Sequence, residues 1–294
     1  MDMNQGEILG IAGESGSGKS VCMKSIMGLL PDSARVEAES MVYKGRSLLG
    51  IKEKELRKYR GQKMAMIFQD PYSSLNPNWN VREIIEEPLA AAGMPAEKRP
   101  QRIQELLKAV SLDAAAMEKF PYEFSGGQRQ RIGIARAVAV NPEFIFCDEP
   151  ISALDVSVQA QVVNMLKDLQ EKMGLTYLFT AHDLSMVRHI SDRIGVMYLG
   201  RLVEIGTSTE VFEHPIHPYT KALISAIPAA DPIEGRKSQR IPVEGEIPSP
   251  MDVPEGCRFC TRCPFAKDRC TKSQPELREW EAGHFAACRA DFCS

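Results

Sequence analysis

Short, unbroken apolar runs alternate along this chain with longer stretches whose apolar positions recur every three or four residues. Residues 7–12, EILGIA, form one such run and lead into a glycine-rich segment, as a buried strand feeding a phosphate-binding loop does. A helix is predicted to follow, from Lys19 to about Leu30. The runs at 64–68 (MAMIF) and 144–147 (FIFC, after Asn141-Pro142), together with Thr176–Thr180 and Arg193–Tyr198, predict four further strands. This alternation predicts an α/β fold, a parallel sheet with helices on its faces. Between about Asn76 and Val140 the period turns helical: Val81, Ile84 and Ile85, then Ile103, Leu106, Leu107 and Val110, predict a helical insertion. After about Ala230 the chain becomes rich in Pro, Gly and charge, which predicts a linker or irregular loops ahead of a cysteine-rich end. No tandem repeat or low-complexity tract interrupts the pattern.

The segment after the first run reads Gly13-Glu14-Ser15-Gly16-Ser17-Gly18-Lys19-Ser20 and fits G-x-x-x-x-G-K-[ST], between a strand and a helix as the chemistry requires. Glycines let backbone N–H groups approach phosphates, Lys19 suits a point charge on the β and γ phosphates, and the Ser20 hydroxyl can ligate magnesium. The run Phe144–Cys147 ends in Asp148 and Glu149. Alone, such a pair reads equally as a solvated acidic turn. Behind a phosphate loop, the first carboxylate suits magnesium and the second suits orienting or deprotonating water. Phe124-Ser125-Gly126-Gly127-Gln128 opens a helix with bare backbone donors, a second anion site. Two phosphate sites on one chain imply a nucleotide shared between two chains.

These motifs resemble those of the nucleotide-binding subunits of ABC transporters, with Ser125–Gln128 similar to that family's signature and the likeness running from about residue 6 to 230. The resemblance implies a P-loop NTPase with a RecA-like parallel core and a helical signature subdomain at about 76–140, in an ATPase domain over residues 1–230. It implies ATP and Mg2+, with Ser20, Gln69 and Asp148 about the metal. Gln69 resembles the Q-loop glutamine that senses magnesium and the attacking water, and Glu149 the catalytic base. Asp155 resembles the D-loop residue that communicates across a dimer, and His182 the switch histidine on the γ-phosphate. Residues 67–77, 155–163, 217–228 and the cysteine tail resemble the ATPases of oligopeptide and dipeptide importers. The implied partners are a second ATPase subunit, homologous or identical, two permease subunits and an extracytoplasmic peptide-binding protein. The implied place is the cytoplasmic face of the membrane, with Gln69–Asn76 meeting the permease. Close relatives take up nickel or other small solutes, so the cargo stays open, as does which of the two ATPase partners the chain resembles.

Composition changes this picture little. With 36 Lys and Arg against 39 Asp and Glu, the net charge of -3 gives no polyanion-binding surface of the nucleic-acid kind. No apolar run reaches the roughly 18 residues of a membrane span, and the first residues lack a secretory pattern. Of eight cysteines, six crowd into 257–293, which favours a metal site over disulfides in a reducing cytosol. A small Cys-rich extension over residues 231–294 is expected. Its thiolates suit a 4Fe-4S cluster or zinc, or stand as reduced, buried thiols. The family pattern falls on Cys257, Cys263, Cys270 and Cys288, while Cys260 and Cys293 lie outside it.

The chain departs from its family at the start. Only twelve residues precede Gly13 and none is aromatic, whereas family members carry a longer segment with a ring that stacks on adenine. A stacked ring contributes about 1 kcal/mol, and missing strands leave a sheet edge to be covered. Two rival functions are a soluble ABC ATPase clamping nucleic acid, which usually shows paired cassettes or coiled-coil insertions, and a non-hydrolysing binding module.

Overall fold

The computed structural model describes residues 1–227 and 241–289, so the expected boundary at residue 230 and Cys293 lie outside the described residues. The chain divides into two compact units. One comprises Met1–Glu7 with Ser20–Thr180, the other Ile8–Lys19 with the chain from Ala181 onward.

In chain order the elements begin with β1 (Ile8–Ala12), α1 (Lys19–Ile26), the short β2 (Val42–Tyr43) and β3 (Arg46–Ser47), α2 (Glu53–Tyr59) and β4 (Met64–Ile67). Helices α3 (Val81–Ala91), α4 (Arg99–Ala109) and α5 (Gly126–Val138) follow, then β5 (Phe144–Asp148), α6 (Val156–Met173) and β6 (Thr176–Ala181). The remainder holds α7 (Leu184–Ile190), β7 (Arg193–Tyr198), β8 (Arg201–Thr207), α8 (Ser208–Glu213), α9 (Pro218–Ser225), β9 (Arg278–Glu281) and β10 (His284–Ala286).

In the first unit β4, β5 and β6 pair in parallel, with Met64 opposite Phe144 and Phe144 opposite Thr176. Nearly every residue of these strands is buried, as expected of strands covered on both faces. The helical stretch buries the predicted positions: Val81, Ile84 and Ile85 on α3, and Ile103, Leu106 and Leu107 on α4. Helix α3 starts at a capping box. Asn80 Oδ1 accepts from the Glu83 N–H at 2.9 Å, and a Glu83 carboxylate oxygen accepts from the Asn80 N–H at 2.8 Å.

Helix α1 ends at Ile26, short of the predicted Leu30. Gly28 takes φ +61, and Leu29 N–H closes back on the Lys24 carbonyl at 2.8 Å, a left-handed termination. The apolar Met27–Leu30 run extends the periodic signal past a glycine that stops the helix.

The second unit carries the order β1-β7-β8-β10-β9. Strand β1 is parallel to β7, with Leu9 opposite Arg193 and Ala12 opposite Val196. Beyond β7 the sheet turns antiparallel, which the parallel reading of the sequence did not include. Leu199 and Gly200, at φ +43 and +75, form the two-residue turn from β7 to β8. Positive φ at both central residues is the hairpin geometry that matches strand twist.

Candidate nucleotide site

In the second unit, residues 13–19 form a loop after β1. Gly13 is buried, and a Cβ built there would stand 2.2 Å from the Met197 carbonyl oxygen, so no side chain fits. Lys19, 4% exposed, turns its ammonium onto the loop: Nζ donates to Gly13 O at 2.7 Å and Glu14 O at 3.1 Å. Gly200 N–H donates to Ser17 O at 2.7 Å, tying the loop to the hairpin turn. Ser15 and Gly16 are exposed and Ser17 is buried, while Gly16 and Gly18 adopt φ +76 and +97. His182, which follows β6, is exposed.

Ser20, the next residue in the chain, belongs to the first unit. Its hydroxyl donates to Asp148 Oδ1 at 2.6 Å. Two hard oxygen donors this close suit Mg2+, which prefers carboxylate, hydroxyl and water ligands. One residue on, Glu149 Oε2 accepts from the Gln69 side-chain amide at 2.9 Å. Asp148 and Glu149 are 3% and 4% exposed, so both carboxylates are held almost out of water. Glu149 has φ +46, an unusual conformation for a residue with a side chain. Its backbone N–H donates to Thr180 Oγ1 at 3.0 Å, and that hydroxyl stands 3.4 Å from Asp148 Oδ1. Thr180, 1% exposed, therefore fixes the turn carrying both acids. Sequence reading passed over it as the last residue of a strand; its place two residues before His182 was the available signal.

Ser125 caps α5 in a second capping box. Its Oγ accepts from the Gln128 N–H at 3.3 Å, and Gln128 Oε1 accepts from the Ser125 N–H at 3.0 Å. Gly126 and Gly127 then open the helix with partly exposed backbone, an anion-binding geometry. Gly127 has a packing role too, because a Cβ there would meet Val158 Cγ1 on α6 at 2.5 Å. Asp155 is exposed at the start of α6 and its side chain makes no capping bond. Val156, the next residue, is 82% exposed, and Tyr72 and Tyr122 are exposed too.

In the second unit Cys257, Cys260, Cys263, Cys270 and Cys288 line one cavity of about 20 Å³ with His217 and Phe259. Burial pushes the Cys257 thiol up to about 12 and the Cys263 thiol to about 11, so metal binding would have to displace protons. Their donor chemistry suits a soft metal. Yet no three His, Cys, Asp or Glu side chains among the described residues come together as metal ligands, and the cavity has room for about one water. The expectation of a 4Fe-4S cluster or zinc on Cys257, Cys263, Cys270 and Cys288 gains no support from this geometry. No helix among the described residues is long and apolar enough to cross a membrane.

Residues 1–152 match the family described as ABC transporter, and residues 203–270 match the oligopeptide/dipeptide transporter C-terminal region. The chain is 54% identical over 288 residues to a putative oligopeptide transport ATP-binding protein, YkfD, of Bacillus subtilis (strain 168), covering 97% of this chain and 86% of that one. It is 48% identical over 287 residues to the oligopeptide transport ATP-binding protein OppF of Escherichia coli (strain K12), covering 97% and 84%. Among solved structures it resembles the dimeric post-hydrolysis state of the ATP-binding cassette MJ0796 bound to ADP and Pi, with a TM-score of 0.63 and 31% identity over 71% of this chain and 88% of that one. It also resembles cbiO1 from Clostridium perfringens, part of the ABC transporter complex cbiONQ, at a TM-score of 0.62 and 26% identity over 73% and 82%. With the phosphate loop, the acid pair and the capped signature helix all present, the chain belongs to the ABC transporter family as an ATPase.

Proposed function

We propose that this chain energises the import of oligopeptides or dipeptides, hydrolysing ATP as one of two ATPase subunits on the cytoplasmic face of two permease subunits, with an extracytoplasmic binding protein delivering the cargo. The peptide cargo rests on the two relatives' names and on the match of residues 203–270. Residues 1–230 would form the ATPase domain, with its helical part at about 76–140, and residues 231–294 the extension.

The observation that carries the hydrolytic reading is the pairing of Ser20 with Asp148 at 2.6 Å beside that of Gln69 with Glu149 at 2.9 Å. Gly13–Lys19 would cradle the phosphates with backbone donors, and Lys19 would exchange its two carbonyl partners for phosphate oxygens. Ser20 and Asp148 would hold Mg2+, which would supply positive charge against that developing on the phosphates. Glu149 would take the proton of the attacking water, with Gln69 orienting the carboxylate. The water oxygen bonds to the γ-phosphorus, the bond to the bridging oxygen breaks, and ADP and phosphate leave. His182 would complete the γ-phosphate contacts. Ser125, Gly126, Gly127 and Gln128 of one subunit would bind the nucleotide held by its partner, with Asp155 relaying between them. The exposure of Ser125, Asp155 and Val156 supports that docking.

Turnover of the purified full chain, alone and with its ATPase and permease partners, tests this against Glu149→Gln. Loss of a general base lowers turnover by about 10²–10⁴-fold while nucleotide binding persists. Equal turnover in both proteins, or none in the complete assembly, would overturn the motor reading. An absorbance spectrum of the anaerobically prepared protein reads the tail: a broad band near about 400 nm is the signature of iron and sulfur, and zinc analysis covers the other soft metal.

A further inference from the structure

Two arginines of the cysteine-rich tail, Arg258 and Arg262, reach the neighbourhood of the phosphate loop. Arg262 lies between Cys260 and Cys263 in sequence. Its Nη1 donates to Glu14 Oε2 at 2.8 Å and its Nη2 to Glu14 Oε1 at 3.4 Å, a two-pronged contact across 248 residues. The Arg262 side chain is 9% exposed and that of Glu14 30%, so the pair is largely withdrawn from solvent. Tyr219 Oη accepts from the Glu14 backbone N–H at 2.9 Å. The residue after Gly13 is thus held through both its main chain and its side chain. The second arginine, Arg258, donates from Nη1 to the Leu199 carbonyl, in the turn whose Gly200 N–H holds Ser17. Phe259 between them is 1% exposed and packs on the rings of Tyr198 and Tyr219, with centroids 5.2 and 5.3 Å away.

We infer that Arg262 is a positioning residue for ATP binding: it anchors and neutralises the Glu14 carboxylate, so that the phosphate loop accepts a polyanion beside a side chain that would otherwise repel it. The inference rests on the reading that Gly13–Ser20 holds the nucleotide phosphates. A carboxylate one residue into an anion-binding loop opposes the ligand's charge, and a bidentate guanidinium both cancels that charge and fixes its direction. A lysine in the same place would cancel the charge without fixing the geometry. Arg258 supports the other end of the loop through Leu199, Gly200 and Ser17.

The test is titration of full-length protein with a fluorescent ATP analogue and Mg2+, and ATPase kinetics in the assembled transporter, for wild type, K19A, R262Q, R262K, E14Q and E14Q/R262Q. R262Q is expected to weaken nucleotide binding and raise KM roughly fivefold or more, with kcat within about twofold. R262K should lie between R262Q and wild type. In the E14Q background, R262Q should shift affinity by less than about twofold, because no carboxylate remains to neutralise. A role confined to folding would lower thermal stability equally in both backgrounds and would not depend on Glu14. Unchanged affinity in R262Q, or the same loss with and without Glu14, would overturn the inference. Wild-type binding no tighter than that of K19A would overturn the phosphate-loop reading itself, and the inference with it.

Discussion

Inside the second unit, Glu204 on β8 and His284 on β10 face each other with Oε1 and Nε2 2.8 Å apart and no solvent exposure on either side chain. The same carboxylate accepts the backbone N–H groups of Ile216 and His217, each at 2.8 Å. One buried acid therefore joins two strands and the start of α9. Removing one partner of a buried, hydrogen-bonded pair costs about 3–5 kcal/mol, because the other is left without compensation. His284→Ala should lower stability by that order in urea unfolding. Glu204→Gln, which keeps the shape and one acceptor, should cost less.

Thr180 is the second test. Its hydroxyl serves both the Glu149 backbone and the Asp148 carboxylate, so Thr180→Val keeps the volume and removes the only polar atom of the side chain. An orphaned buried N–H costs about 1–3 kcal/mol. The turn carrying Glu149 at positive φ should relax, and turnover should fall roughly tenfold with little change in KM, since the lost interaction orients groups rather than binds nucleotide. Steady-state kinetics on the assembled transporter decides this. A rise in KM at constant kcat would contradict it.

Gly127 offers a test by paired substitution. Gly127→Ala drives a methyl into Val158, and overpacking of this kind costs about 1–3 kcal/mol. Val158→Ala should cost little, and the double variant should recover most of the stability lost by Gly127→Ala. Thermal unfolding of the four proteins supplies the coupling.

A fourth expectation concerns pH. Lys44, Lys63 and the Tyr43 hydroxyl hold the Glu143 carboxyl down to about 2, from an ordinary value of 4.5. A carboxylate lowered on folding stabilises the protein fully above its unfolded value, and that contribution is lost as pH falls from about 4.5 towards 2. The side chain is 32% exposed, so screening limits the effect to about 1 kcal/mol. Glu143→Gln should be less stable than wild type at pH 7, with the difference vanishing at the acid end of a denaturant series.

Local chemistry carried most of what was legible in the sequence. Runs such as 144–147 and 193–198 announce buried strands because a strand covered on both faces has no polar positions to hide. Gly13–Ser20 and Ser125–Gln128 announce themselves because phosphate binding and helix capping each demand fixed residue types at fixed spacing. Strand β8 was missed although Leu199-Gly200 is a hairpin turn, since the apolar run after it contains Glu204, a charge whose partner His284 is 80 residues away. The Thr180 contacts, the Arg262–Glu14 pair and the closeness of Gly127 to Val158 join residues far apart in sequence, and no local pattern records them.

Strand β1 and the loop after it are synthesised well before residues 193–196 of β7, with which β1 pairs. The contacts that hold the loop come from Gly200, Tyr219 and Arg262. A nascent chain thus carries the phosphate-loop sequence long before it can make these contacts, an ordering that separations of this length impose on folding. Unfinished chains that stop before position 262 would be without its guanidinium, and a cell would gain a margin against incomplete subunits that capture nucleotide before they can use it.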